Sequence, residues 1–124
     1  MIRWAYRRYY AFAVADEPAF DREVRGLVVD ALSGIGTPWT GERHWAIHPA
    51  GIALLVRLAR QLGIPPVAVE PSVRHYREHS NMSSVSILHV LKDVASACPA
   101  TSAINLLTMG AGFDVVYGRL TRVR

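Results

Sequence analysis

The stretch Trp45-Ala46-Ile47-His48-Pro49-Ala50-Gly51-Ile52-Ala53-Leu54-Leu55-Val56-Arg57-Leu58-Ala59-Arg60-Gln61-Leu62-Gly63 decides the fold. Residues 44–48 are mostly apolar and read as a short strand that Pro49 ends. Ala50 and Gly51 supply a small-residue turn, the run from Ile52 to Leu62 reads as a helix, and Gly63 stops it. Working outward, residues 9–14 read as a strand, and Asp16-Glu17-Pro18 as a helix entry with a capping Asp and a Pro just inside. Phe20, Val24, Leu27, Val28, Ala31 and Leu32 follow at spacings of three and four, the mark of an amphipathic helix ending near Gly34 and Gly36. Thr37-Pro38-Trp39-Thr40-Gly41 reads as a loop.

Downstream, Pro65 and Pro66 predict a loop, and residues 72–79 a short polar helix. Asn81-Met82-Ser83-Ser84 interrupts that helix and begins another, which runs through Ile87, Leu88, Val90, Leu91 and Val94 to Ala97. Residues 104–108 and 113–123 read as strands joined by a tight turn at Gly110-Ala111-Gly112. The predicted order, β-α-β-α-α-α-β-β, is an α/β fold: one mixed β-sheet covered by helices, closed by a hairpin. No repeat or linker divides residues 1–124, so a single domain is expected.

With 124 residues, 51% hydrophobic and 19% charged, the chain has the composition of one packed domain and not of a disordered segment. One cysteine, Cys98, excludes a disulfide framework and a cysteine-rich zinc fold. The net charge of +4 comes from scattered arginines, since Lys92 is the only lysine. Trp4, Tyr6, Tyr9 and Tyr10 beside Arg3, Arg7 and Arg8 come nearest to a nucleic-acid patch, but they read first as an aromatic, basic strand, and no nucleic-acid partner is expected. No apolar run reaches the roughly 18 residues of a membrane helix, and the start lacks the apolar core of a signal peptide. A cytoplasmic protein without a membrane partner is therefore expected.

Two places carry chemistry. His48 sits at the carboxyl end of a strand before a small-residue turn, where α/β sheets hold ligands; a hydrogen-bonded structural histidine is the alternative. Asn81 opens an apolar helix, either as its cap or as an amide donor aimed at a developing oxyanion. His75 and His79, at i and i+4, have a metal-chelating spacing, but no third ligand is evident and they read as exposed helix residues. Cys98 has no histidine near it in sequence and reads as structural. No metal is expected.

Taken together, Trp45-Ala46-Ile47-His48-Pro49-Ala50-Gly51, Asn81-Met82-Ser83-Ser84 and Gly110-Ala111-Gly112 resemble the C-terminal half of the chalcone synthase-like type III polyketide synthases, in the thiolase superfamily. That family's motifs W-x-x-H-P-G-G, G-N-M-S-S and G-F-G-P-G occur in the same order with comparable spacing, and the likeness runs from about Tyr9 to the C-terminus. The resemblance implies that His48 and Asn81 are two members of a Cys-His-Asn triad. In that triad the cysteine carries the acyl group while His and Asn bind the thioester carbonyl and stabilise the enolate from a decarboxylating malonyl unit. It implies a substrate pocket lined by Ala50, Gly51, Ser80, Gly110, Ala111 and Gly112. Three of these depart from the family: Ala50 and Ser80 replace glycines, and Ala111 replaces a proline.

The family's cysteine-bearing N-terminal half has no counterpart in this sequence, so one half of a thiolase-like fold is expected. From this follows a His/Asn-bearing subunit of a split condensing acyltransferase, inactive alone, working on coenzyme A or carrier-protein thioesters with no bound cofactor. Its partner would be a thiolase-fold chain supplying the cysteine, in a hetero-oligomer that allows for an acyl carrier protein as well. The alternative is a non-catalytic structural or regulatory subunit that binds and stabilises such a partner. The helix after Asn81, apolar on more than one face, is expected to expose an apolar patch in this chain alone.

Overall fold

A computed structural model of the chain describes residues 2–6, 10–14, 16–36, 41–110 and 114–123. The strands are β1 (Ile2–Tyr6), β2 (Tyr10–Val14), β3 (Trp45–Ile47), β4 (Ala103–Met109) and β5 (Val115–Thr121). The helices are α1 (Glu17–Ser33), α2 (Ile52–Leu62), α3 (Pro66–His79) and α4 (Ser84–Ala97). β3, β4 and β5 form one mixed sheet in that order, with β3 parallel to β4 and β4 antiparallel to β5. The strand-helix alternation and the closing hairpin are as the sequence predicts.

The pleat sorts this sheet into two faces. Trp45, Ile47 and Leu107 point to one side, where Val28 and Leu32 of α1, Leu55 and Leu58 of α2, and Val69 and Val73 of α3 form the larger core. Ala46, Ile104 and Leu106 point to the other, against Ile87, Val90, Val94 and Cys98 at α4. The result is three layers, with α1–α3 on one face and α4 on the other. α1 and α2 are further tied by Asp21, whose carboxylate receives Arg25 at 3.0 Å and Arg57 at 3.1 Å.

Local signals explain the helix starts and stops. Asp16 caps α1 by accepting the Ala19 N–H at 2.9 Å, and Gly63 closes α2 in the left-handed conformation at φ 69°. Two expectations change. Residues 2–6 form a strand that the predicted order lacks, paired antiparallel with β2 from Ile2↔Val14 to Tyr6↔Tyr10, and this pair is a sheet of its own where one mixed sheet was expected. α3 begins at Pro66 rather than in the seventies, because proline at a first helical position loses no hydrogen bond. Pro71, one turn further in, leaves unpaired only the carbonyl of exposed Val67, which water can reach.

Half of α4 is covered. Ser86, Ile87, Val90 and Val94 are buried, while Val85 is 48% and Leu88 63% exposed. Val116 and Leu120 are also exposed, on the sheet face that α4 occupies. The expected apolar patch is present.

Candidate functional site

His48 follows β3 directly. Its backbone N–H extends the parallel ladder to the Leu107 carbonyl at 2.8 Å, and its own carbonyl accepts the Ala50 N–H at 2.9 Å, turning the chain toward α2. Gly51, in extended backbone, leads into that helix, and nothing lies within 4 Å of where its Cβ would be. Because β3 and β4 are parallel, Gly110 at the end of β4 lies on the same carboxyl edge as His48 and Ala50. There its N–H bonds the Asp114 carbonyl at 2.8 Å. Ala111 and Gly112, the other two residues of that turn, lie outside the described residues.

The edge of β3 away from β4 is closed by α3. Ser72 Oγ donates to the Ile47 carbonyl at 2.7 Å and accepts the Ile47 N–H at 3.2 Å, satisfying both open backbone groups beside His48. The His48 side chain is itself buried, at 7% exposure. Burial, and secondarily the neighbouring His75, pull its pKa below the ordinary histidine value, so the neutral imidazole is the resting form.

Asn81 sits between α3 and α4 in a different setting. Ser80 closes α3 at φ 58°, ψ −162°, and Ser83 precedes α4 at φ 58°, ψ −141°. Both lie where glycine is favoured, and each costs about 1–3 kcal/mol for any other residue. Ser80 stands where the resembling motif has glycine, so its departure is one of backbone strain. Ser83, not Asn81, is the residue at the α4 cap position, and its side chain makes no capping bond. Asn81 instead accepts the Ser83 N–H on Oδ1 at 2.9 Å. That bond orients the exposed amide and leaves its NH₂ group as the donor end.

A chain of polar groups leads from the Asn81 loop into the space between α3 and α4. Met82 N–H donates to Ser86 Oγ at 2.7 Å, and Ser86 Oγ lies 3.1 Å from His75 Nε2. Ser86 is fully buried and His75 is 4% exposed. This corrects the reading of His75 as an exposed helix residue. Its ring also meets His79 and, from α4, His89, with centroids 5.1 and 5.7 Å away. The sequence shows His79 as a neighbour of His75 by helical spacing, but nothing in it brings His89 or Ser86 to the same place. Among the described residues, no group of three or more His, Cys, Asp or Glu side chains is arranged to hold a metal ion.

Cys98 is buried at the far end of α4, with its thiol on the Ala95 carbonyl at 3.6 Å. The 14 residues of α4 separate it from Asn81, a span of roughly 20 Å. A shallow depression of about 420 Å³ beside Glu42, Arg43, His44, Thr101 and Arg119 lies at the amino ends of β3 and β4, opposite His48. The Glu42–Arg119 ion pair occupies it.

The β3-β4-β5 mixed sheet with helices on both faces is the α/β fold of C-terminal type III polyketide synthase domains. Residues 15–116 match the chalcone and stilbene synthase C-terminal domain, and the chain belongs to that family. It is 40% identical over 91 residues to a 1,3,6,8-tetrahydroxynaphthalene synthase from Streptomyces peucetius, covering 71% of this chain and 21% of that protein. It is 42% identical over 51 residues to type III polyketide synthase B from Arabidopsis thaliana, covering 41% and 13%. The chain thus spans about a fifth or less of these curated relatives. Among solved structures, the C-terminal type III polyketide synthase domain of Steely1, a type I/III hybrid from Dictyostelium, superposes with a TM-score of 0.68. That match covers 99% of this chain and 36% of the other at 20% identity, a likeness of fold. No helix among the described residues is long and apolar enough to cross a membrane.

Proposed function

We propose that His48 and Asn81 form the oxyanion-binding part of a type III polyketide synthase-like condensing site acting on acyl and malonyl thioesters. A partner thiolase-fold chain supplies the nucleophilic cysteine. The observation that carries this reading is the orientation of Asn81. With Oδ1 committed to the Ser83 N–H, the exposed amide keeps two N–H donors for a ligand, and a preset neutral donor stabilises an enolate oxygen without reorganising. His48, held neutral by burial, has one ring N–H to donate to the same oxygen. A thiolate brought beside it would favour the imidazolium and so share its proton. Cys98, buried about 20 Å from Asn81 at the far end of a helix, cannot be that thiol.

Ala50, Gly51, Ser80 and the Gly110–Gly112 turn are the proposed pocket wall, with coenzyme A or carrier-protein thioesters as substrates. The exposed apolar strip at Val85 and Leu88 is where the cysteine-bearing partner would pack. The same strip favours a second reading, a non-catalytic subunit that stabilises a thiolase-fold partner.

The test is to co-express the chain with the product of the neighbouring reading frame and measure malonyl-thioester decarboxylation. His48→Ala and Asn81→Ala each lower turnover by about a hundredfold or more on the catalytic reading. If both leave turnover intact, that reading fails; a stable complex without turnover supports the second.

A further inference from the structure

We infer, on the reading that His48 and Asn81 share one site, that His75 and Ser86 are positioning residues that hold the Asn81 loop through Met82. Through them the loop's geometry responds to protonation of the histidine cluster between α3 and α4. One hydroxyl group makes the link. Ser86 Oγ accepts the Met82 N–H at 2.7 Å, so its single hydrogen is free for His75 Nε2 at 3.1 Å. Neutral His75 then carries its proton on Nδ1. Met82 lies between Asn81 and the strained Ser83, so this bond fixes the segment that presents the amide.

Protonating His75 reverses the polarity of the link. Nε2 becomes a donor, Ser86 Oγ must accept from two sides, and its own hydrogen loses its acceptor in a fully buried position. The groups facing His75 set when this happens. On its own helix these are His79 and Glu78, from α4 His89 and Asp93, and from the β3 corner His48. Asp93 is itself engaged by exposed Arg74 at 3.7 Å. Burial and the two outer imidazoles outweigh the carboxylates and hold His75 below the ordinary histidine value. His79 and His89 are both exposed, and positive charge on either opposes protonation of His75.

The test is an NMR titration of the full chain from about pH 8 to 5, reading the Met82 backbone amide and the His75 imidazole. The expected result is a Met82 response with the midpoint of His75. His75→Gln abolishes that response. The surface substitution His79→Gln, which leaves the core untouched, raises its midpoint. Ser86→Thr, which keeps the hydroxyl, preserves the response. A Met82 amide that stays still while His75 titrates, or that responds alike in His75→Gln and His79→Gln, overturns the inference. No turnover is read, so this outcome is separate from the fate of the condensing-site proposal.

Discussion

The two corners that carry His48 and Asn81 are built in opposite ways. Among its described residues the β3–α2 corner has no non-glycine residue at positive φ, and its histidine is buried and bonded into a sheet ladder. The α3–α4 corner holds two serines at φ 58° around an exposed asparagine, and α4 starts without a side-chain cap. One corner is positioned by regular structure that would exist without it. The other is a strained loop that persists only because Ser86, His75 and the Asn81–Ser83 bond hold it. Strain of this kind gathers at functional sites because surrounding packing over-determines it.

Breaking the regular corner has the largest expected effect. Leu107 is fully buried in the core beside His48, so Leu107→Ala lowers unfolding free energy by about 3 kcal/mol in denaturant melts. A loss below about 1 kcal/mol would mean that this edge of the sheet does not organise the site.

The strained corner responds in the opposite direction. Ser80→Gly relieves the φ 58° conformation and raises stability by about 1 kcal/mol, less than the full strain because glycine is also freer in the unfolded chain. A destabilising Ser80→Gly would contradict the strain argument.

Acid sharpens the contrast by its effect on both corners. His48 and His75 have native pKa values below the ordinary 6.5, so the unfolded chain takes up protons first as pH falls. The stability this gives is intact above about pH 6.5 and is lost as pH falls through that value toward the lower native ones. Thermal melts should therefore show Tm level from pH 8 to 7 and falling below 6.5. His75→Gln flattens the fall; an unchanged pH profile in that variant would remove His75 from the account.

The regular corner was also the legible one. Trp45-Ala46-Ile47-His48 and the run closed by Gly63 show their strand, turn and helix through local rules: a short apolar run, small residues, a left-handed stop. β1 escaped because Ile2, Trp4 and Tyr6 become a strand only through pairing with residues 10–14. Pro66 reads equally well as a loop residue and as a helix start, and only the packing of Ala68 and Val69 decides between them. Asn81 was legible as a residue of interest, but its Asx-type bond and the strain at Ser80 were not, since φ is not written in side-chain type. His75 and Ser86 were invisible as a pair because eleven residues and a helix break separate them.

Whether these unlike corners act as one site is decided by a double-mutant cycle on malonyl-thioester decarboxylation by the partnered protein, with His48→Ala, Asn81→Ala and the double substitution. If both donors serve one oxyanion, the double variant is about as impaired as the worse single variant, because residues acting as a unit are non-additive. Two losses that multiply independently would contradict the account.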